Sequence, residues 1–280
     1  MQEISIDFIR SIIKTRSKDA FKNQFGHALI VAGSKGKLGA AILSSKACMR
    51  SGVGLVTVFS TNGSAPIFHT ALPEVMVLED ANKNFLTKIP EHEDYSAYGI
   101  GPGIGTQDDT IDSFELFLKE NKKPIVLDAD GINAISLRPK LRSFLNTAVL
   151  TPHVGECKRL LGNWSNEIEA IEKIQSFVEE TKSVLVLKGA QSKIFSPEGK
   201  LFVNTTGNPG LAKAGSGDVL TGIITAFLAQ GYSSLNAAII GVFIHGLAGD
   251  LAIENDSNYS LLASDICDFL PKAFRDILGE

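Results

Sequence analysis

The sequence predicts an α/β protein whose central sheet is mostly parallel and whose C-terminal part is helical. Short β-branched runs bounded by glycine or proline alternate with helical patterns along most of the chain. This alternation is typical of right-handed βαβ units, which build parallel sheets. Near the C-terminus "SKIFSPEGKLFVN", at 192–204, predicts a hairpin, and three helical patterns follow from Ala214. A hairpin therefore leads into a helical tail.

The individual elements follow from these patterns. Buried strands are predicted within 27–33, 53–59, 74–78, 97–103, 124–130, 147–153 and 183–189. Helices are predicted at 38–51, 109–120, 154–161 and 166–181. The segment 235–253 is apolar nearly all round and long enough to cross a bilayer. Its His245, Asp250 and glycines favour a helix buried inside a large domain instead.

Composition bounds the class of protein. The 280 residues are 44% hydrophobic and 21% charged with a net charge of -4, so no basic footprint indicates nucleic-acid binding. Cys48, Cys157 and Cys267 are widely spaced and odd in number, which fits packing roles in a reducing compartment. The N-terminus lacks the basic region and apolar stretch of a signal peptide, so a cytoplasmic location is expected. We predict one domain over 1–280, with a helical extension at 1–25.

Unusual residues cluster where the predicted strands end. They lie in five segments: 32–41, 99–105, 127–131, 150–156 and 187–191. Ligands of such sheets bind outside the carboxyl ends of the strands, so one cleft is expected to collect all five. The loop from Gly33 to Gly39 lacks the spacing of a Walker loop, and "GIGPGIG" lacks that of a dinucleotide fingerprint. The latter is either a tight turn or a place where a ligand approaches.

The stretch "AGSGDVLTG" combines glycines, an acid and a helix start. From Val219 the apolar positions follow helical spacing, which places Gly215, Ser216 and Gly217 at a helix N-terminus. Free amides and the helix dipole there favour an anion such as phosphate. Asp218 either balances the dipole or acts as a base that takes a proton from a hydroxyl during phosphoryl transfer.

Three further motifs have two interpretations each. His153 and Glu156 follow a strand and form either a helix cap or a site in which the acid holds magnesium through water. Asp128 and Asp130 in "LDADG" contact metal or substrate, or cap the next helix. Lys188 either pairs with phosphate or extends to solvent.

Several motifs in a fixed order resemble those of the NAD(P)H-hydrate dehydratases of the ribokinase-like superfamily. They are "GHALIVAGSKGKLGAAILSSKACMRSGVGLVTV", "GPGIG", "LDADGINAI", "LTPHVGE", "LKGAQSKI" and "NTTGNPGLAKAGSGDVLTG". The resemblance extends from about Gly26 to the C-terminus. It implies a three-layer α/β/α fold and a role in repairing hydrated nicotinamide nucleotides. A nucleotide, expected to be ADP rather than ATP, phosphorylates the S epimer of NADHX or NADPHX, and loss of phosphate restores NADH or NADPH.

The resemblance also implies roles for individual residues. Asp218 would be the catalytic base beside an anion hole at Gly215, Ser216 and Gly217, with Gly217 also touching nucleotide. The hydrate-binding positions match Ala40, Gly103 and His153, together with Asp218. The adenine-nucleotide segment matches Lys188, Gly189, Ala190, Gln191 and Ser192. Glu156 resembles the acid that organises Mg2+ in related kinases.

The departures from the family pattern and the rival functions are few. Val154 stands where many relatives carry proline, and Lys213 where a smaller residue is common.

The resemblance suggests a stand-alone homotetramer that relies on a separate epimerase, without contact with membrane or nucleic acid. The closest rival is an ATP-dependent kinase of a vitamin precursor such as hydroxymethylpyrimidine, pyridoxal or hydroxyethylthiazole. A more distant rival is a nucleotide sensor without turnover.

Overall fold

The computed structural model describes residues 1–90, 94–254 and 257–280, and a ten-stranded sheet forms its centre. The strand order is β1-β10-β9-β8-β7-β6-β5-β2-β3-β4. Neighbouring strands run parallel except where β9 pairs with β8 and β10. The strands are β1 Gln2–Ile4, β2 His27–Val31, β3 Leu55–Ser60, β4 Met76–Glu79, β5 Ala97–Ile100, β6 Ile125–Leu127, β7 Val149–Leu150, β8 Val184–Leu187, β9 Lys193–Phe195 and β10 Leu201–Asn204. The predicted α/β class with a mostly parallel sheet is confirmed.

Helices cover both faces of this sheet. They are α1 Ile6–Ile12, α2 Leu38–Arg50, α3 Ala65–Ala71, α4 Asp108–Glu120, α5 Asp130–Leu137, α6 Val154–Leu161, α7 Glu167–Thr181, α8 Ser216–Ala229, α9 Ser234–Ala252 and α10 Ala263–Leu278. Alternate residues of β2 point into two separate cores. Ala28 and Ile30 pack on the face covered by α2, α8, α9 and α10. Leu29 and Val31 pack on the opposite face, which is covered by α4 to α7. The architecture therefore has three layers.

Residues 1–25 contain a strand as well as a helix. Strand β1 pairs in parallel with β10, Gln2 lying opposite Phe202 and Ile4 opposite Asn204. Helix α1 follows, with Ser5 as its N-cap and Ile9 buried. Sequence alone indicates only the helical part, because a three-residue strand has too few positions to show an alternating pattern.

Helix α9 is long and apolar enough to cross a membrane, yet 78% of its most apolar stretch is buried inside the protein. It packs between α8 and α10, and its residues from Ala237 to Gly246 are all buried. The prediction of a buried core helix at 235–253 is confirmed.

The chain changes direction across the sheet between β2 and β5. From β2 it proceeds through β3 to β4, then returns so that β5 lies on the other side of β2 and β6 to β8 follow outward. Such a switch point opens a crevice at the carboxyl ends of the two strands. The amide of Gly33 donates to Pro102 O at 2.8 Å, which joins the loops after β2 and β5 at this crevice.

Close contact between α2 and α8 depends on Gly222. A Cβ on this residue would lie 2.1 Å from Ser44 O, which belongs to the α2 backbone. Gly222→Ala is therefore expected to lower the free energy of unfolding by about 1–3 kcal/mol, because the two helices must separate. Gly39→Ala is the control, since no atom lies within 4 Å of its added Cβ and alanine favours the helix. Equal urea midpoints for the two variants would contradict this account of the packing.

Candidate functional site

Helix α8 begins at the switch-point crevice with free backbone amides. Gly215 is its N-cap with a φ of 92°, a conformation that favours glycine. The amide of Ser216 donates weakly to Lys213 O at 3.4 Å, and that of Val219 to Gly215 O at 3.1 Å. Among the described residues the amides of Gly217 and Asp218 have no acceptor. These two groups form the positive end of the helix and are free to bind an anion.

Asp218 does not act as a helix cap. Its carboxylate forms no hydrogen bond with any of the residues that the structure describes, whereas Asp265, at the same position in α10, accepts from Leu262 N at 2.8 Å. Burial raises the pKa of Asp218 to about 6, with further contributions from the carboxylates of Asp128, Asp130 and Glu156. An unpartnered carboxylate with this pKa can both accept and release a proton near neutral pH.

An ion pair between the buried Asp128 and the partly exposed Lys188 lies behind this acid. Lys188 Nζ is 2.7 Å from Asp128 Oδ1 and 3.9 Å from Glu156 Oε2. Thr221 Oγ1, one turn further along α8 than Gly217, donates to Asp128 Oδ2 at 3.0 Å. The Asp128 side chain is only 2% exposed and that of Lys188 20% exposed. The ammonium group lowers the pKa of Asp218 and so offsets part of the increase. Lys188 therefore interacts electrostatically with Asp218 of α8 as well as with the acids at the strand ends.

His153 and Glu156 form a capping box at the start of α6. His153 Nδ1 accepts from the amides of Gly155 and Glu156 at 2.9 and 3.3 Å, and Glu156 Oε2 accepts from His153 N at 2.8 Å. Of the two interpretations of this motif, the structure therefore shows the helix cap. Glu156 is also 6% exposed and faces Lys188, so the same carboxylate contributes to the charge of the site.

A cavity of about 480 Å³ opens in front of Asp218. It is lined by Gly36, Lys37, Gly39, Ala40, Leu43, Gly103, Asp130, Ala214, Gly215 and Asp218. Asp130 Oδ2 accepts from Gly105 N at 2.8 Å and lies 3.5 Å from Lys37 Nζ. Segments after β2, β5 and β6 thus meet the N-terminus of α8 at one cleft. Sequence reasoning assigned no role to Lys37, although its Gly-Lys pair was the available signal.

The backbone between the two strand-end acids is strained. Ala129 has φ 47° and ψ -115°, which is rare for a residue with a side chain. Gly101 packs against it so closely that a Cβ would lie 1.9 Å from Asp128 O. Strain of this kind persists where the surrounding structure holds it, and it is common at functional sites. Here it turns Asp128 toward Lys188 and Asp130 toward Lys37.

The segment Lys188 to Ser192 does not line the cavity in front of Asp218. Only Lys188 reaches the acids, while Gly189, Ala190 and Gln191 are exposed on the loop between β8 and β9, and Ser192 is half-buried. His153, whose side chain is 55% exposed, also lies outside the lining of the 480 Å³ cavity. The predicted nucleotide segment therefore borders the acids at one end only.

A second cavity adjoins the first through Asp130. Its volume is about 500 Å³, and it is lined by Thr106, Asp130, Asn133, Ser136, Leu137 and Arg159. The Arg159 guanidinium donates to Asn133 Oδ1 at 3.0 and 3.2 Å. Neither residue has a predicted role, since Arg159 follows an ordinary helical pattern in α6.

Fold and site together define a three-layer α/β/α protein with an anion-binding helix N-terminus at its switch point. A family model described as NAD(P)H-hydrate dehydratase matches residues 28–272. The chain is 36% identical to the bifunctional NAD(P)H-hydrate repair enzyme of Moorella thermoacetica, over 97% of this chain and 53% of that protein. It is 32% identical to the ADP-dependent (S)-NAD(P)H-hydrate dehydratase of Bacillus subtilis, over 96% of each.

A solved structure agrees with these matches. The ADP/ATP-dependent NAD(P)H-hydrate dehydratase of Bacillus subtilis, co-crystallised with ATP/Mg2+, superposes with a TM-score of 0.83 and 28% identity over 98% of this chain and 97% of that one. The chain belongs to the NAD(P)H-hydrate dehydratase family. The predicted ribokinase-like fold is confirmed. The chain spans about half the length of the bifunctional relatives that it matches.

Proposed function

We propose that this protein carries out the ADP-dependent dehydration of the S epimer of NADHX or NADPHX, which restores NADH or NADPH. The observation that supports this most is the Asp218 carboxylate, which has no hydrogen-bond partner among the described residues, a pKa of about 6 and two free amides beside it. A base next to an anion-binding helix N-terminus is what phosphoryl transfer to a hydroxyl requires.

In the first step Asp218 takes the proton of the substrate hydroxyl as its oxygen attacks the terminal phosphorus of the nucleotide. The new P–O bond forms while the bond to the leaving nucleotide breaks, so ADP leaves as AMP. The amides of Gly217 and Asp218 stabilise the charge on the transferring group, which extends the anion hole proposed at Gly215, Ser216 and Gly217 to Asp218. In the second step phosphate departs with one proton from the adjacent ring carbon, and the ring double bond re-forms.

Magnesium fits this site only as an ion held through water and phosphates. The described residues contain no group of three His, Cys, Asp or Glu side chains that could hold a metal ion. Four carboxylates nevertheless surround the site, those of Asp128, Asp130, Glu156 and Asp218. A nucleotide polyphosphate therefore needs a cation there, and Mg2+ characteristically keeps several waters. Glu156 would hold it through water, and the bound ion would neutralise phosphate charge.

We assign the two cavities to the two halves of the hydrated dinucleotide. A volume of about 480 Å³ suits one ligand of ordinary size, whereas the reaction brings a dinucleotide and ADP together. Ala40 and Gly103 line the cavity beside Asp218, and we assign the hydrated ring to it. His153, the third predicted hydrate-binding position, lies outside this lining. The nucleotide is assigned to the side of Lys188 and the segment Gly189 to Ser192. The second cavity is then left for the remaining half of the dinucleotide.

The resemblance supplies the wider setting of this proposal. We propose a single domain over 1–280 that acts in the cytoplasm as a homotetramer, with a separate epimerase supplying the S epimer. Adenine nucleotide and the hydrate are its proposed partners. The burial of α9 in the protein is consistent with this setting.

The experiment that tests the function is recovery of reduced-nicotinamide absorbance from purified NADHX with magnesium and ADP, ATP or no nucleotide. Recovery with ADP is the expected result. Absence of recovery with either nucleotide would reject the proposal. Phosphorylation of hydroxymethylpyrimidine, pyridoxal or hydroxyethylthiazole would then assign the protein to the vitamin kinases, and nucleotide binding without turnover would indicate a sensor.

Arg159→Ala tests the assignment of the second cavity. We expect the KM for NADHX to rise about 10-fold, because the variant loses charge-assisted hydrogen bonds to a phosphate-bearing ligand. The KM for hydrated NMNH, which lacks the second nucleotide, should not change. Lys158→Ala is the control, since Lys158 is on the same helix but lies over the ring of Trp164. Equal effects of Arg159→Ala on both substrates would place the dinucleotide elsewhere.

A further inference from the structure

Two polar residues of α9 have no part in the proposed chemistry. His245 and Asp250 are the residues that distinguish this helix from a membrane span, and His245 is 8% exposed. Buried polar groups persist where they form hydrogen bonds, so their partners indicate what they do. Both side chains face the loop that connects β10 to α8, residues 205–215.

Asp250 holds the first part of this loop. Its Oδ2 accepts from Gly207 N at 2.7 Å and its Oδ1 from Asn208 Nδ2 at 3.0 Å. Asn208 Oδ1 in turn accepts from Gly210 N at 2.9 Å. The carboxylate therefore accepts two charge-assisted bonds from the loop, and the Asn208 side chain that it holds accepts a further bond from Gly210.

His245 holds the other end, where the loop enters α8. Its Nε2 lies 3.0 Å from Ser216 O and 3.2 Å from Ser216 Oγ. Burial lowers the pKa of His245 to about 4, so the ring is neutral at pH 7. A carbonyl oxygen only accepts, and therefore Nε2 carries the proton and donates to Ser216 O. The peptide group whose oxygen accepts this bond also carries the free amide of Gly217.

Glycines on the same face of α9 allow the loop to approach. A Cβ on Gly246 would lie 2.3 Å from Thr206 Oγ1, and one on Gly249 would lie 2.6 Å from Leu211 Cδ2. Thr206 Oγ1 also donates to Phe243 O at 2.8 Å. Residues one turn apart share a helix face, so 245, 246, 249 and 250 present one surface to the loop.

We propose that His245 and Asp250 are positioning residues that aim the amides of Gly217 and Asp218 at the cavity. Asp250 anchors the loop at its start and His245 anchors it at the helix, so neither end moves when an anion binds. Preorganised donors stabilise developing charge without reorganisation, and a displacement of about 1 Å costs roughly 10²-fold in rate. The catalytic consequence rests on the proposed function, whereas the anchoring of the loop does not.

Two substitutions of His245 separate positioning from packing. His245→Leu fills the space but lacks the donor, whereas His245→Gln retains an amide N–H that can reach Ser216 O. We expect kcat to fall about 10- to 100-fold in His245→Leu and by no more than about 3-fold in His245→Gln. The KM for NADHX should stay the same in both variants, because the hydrate is assigned to a cavity that His245 does not line. Equal kcat values for the two variants would overturn the proposal.

Asp250→Asn provides the second variant, and it serves if His245→Leu does not fold. Asparagine offers one acceptor to the two donors on Gly207 and Asn208. Hydrogen exchange of the bonded loop amides of Gly207, Gly210 and Leu211 should therefore accelerate at least 10-fold. Asp268→Asn is the control, since Asp268 pairs with Lys46 on the outer side of α10 and should leave exchange and kcat unchanged. Unchanged exchange in Asp250→Asn would also overturn the proposal. If the wild-type protein does not turn over NADHX, the proposed function fails while the exchange measurement still decides whether the loop is anchored.

Discussion

Asp218→Asn is expected to reduce kcat by about 10²- to 10⁴-fold, the usual contribution of a positioned general base. Asparagine has nearly the same shape but cannot take the hydroxyl proton, and it leaves the free amides of Gly217 and Asp218 in place. Binding of ADP should therefore persist. Steady-state turnover of NADHX and calorimetric titration with ADP are the two measurements. Turnover within about 3-fold of the wild type would reject the catalytic role.

The same substitution is expected to stabilise the fold above pH 6. The pKa of Asp218 rises from 3.8 to about 6 on folding. The native state therefore binds the proton more tightly than the unfolded state, and the charged carboxylate costs stability progressively between about pH 4 and pH 6. A shift of this size corresponds to about 3 kcal/mol. Asp218→Asn should raise the free energy of unfolding by up to this amount at pH 8 and leave it unchanged below about pH 4.

Asp265→Asn is the matched control, because Asp265 occupies the same position in the first turn of α10. Its carboxylate accepts from Leu262 N, so its loss should lower stability by about 0.5–1 kcal/mol without affecting turnover. Destabilisation by Asp218→Asn at pH 8 would instead favour a helix-capping role.

In the wild type, kcat/KM should rise with pH through an apparent pKa of about 6, as Asp218 ionises.

Lys188→Met is expected to lower the free energy of unfolding by about 3–5 kcal/mol. It leaves the buried Asp128 carboxylate with Thr221 as its remaining side-chain partner, and breaking a buried ion pair on one side is strongly destabilising. Because the ammonium group counteracts the raised pKa of Asp218, its loss should also shift the pH dependence of kcat/KM to higher pH. Urea unfolding and a pH-rate profile measure the two effects.

The double variant Lys188→Met, Asp128→Asn is the corresponding test of the pair. Removing both charges should recover a large part of the lost stability, since no unpaired carboxylate remains buried. If the double variant is no more stable than Lys188→Met alone, the loss arises from packing and not from the unpaired charge. A wild-type pH profile in Lys188→Met would show that the lysine does not act on Asp218.

Much of the fold could be predicted from the sequence. Each of the seven predicted strand segments overlaps a strand, although β3 and β4 end one residue beyond their segments. The four predicted helices begin and end within one residue of α2, α4, α6 and α7. These elements are buried or amphipathic, so their apolar residues recur with the period of the element itself. Strand β1 and helix α3 show no such pattern. The first is three residues long, and the second is seven residues with one buried side chain, Phe68.

The site was predictable in its location and less so in its arrangement. The glycine-rich loops and Asp218 do meet at one cleft, because parallel strands place their carboxyl ends together. Lys37, in contrast, has only a Gly-Lys pair as a signal and Arg159 has none, and both line the cavities because distant segments of the chain meet there. The roles assigned to the individual site residues stay predictions, with Asp218 as the first to test.

The parallel sheet, the position of each loop at a strand end and the start of α8 at a run of glycines can all be inferred from local sequence. These features depend on local periodicity and on the conformations that glycine allows. Three further features require the folded chain: among the described residues Asp218 has no capping partner, Lys188 pairs with Asp128, and His245 and Asp250 form hydrogen bonds with Ser216 and with the loop before α8. These outcomes depend on distances between residues far apart in the chain, which long-range packing sets and no local pattern encodes.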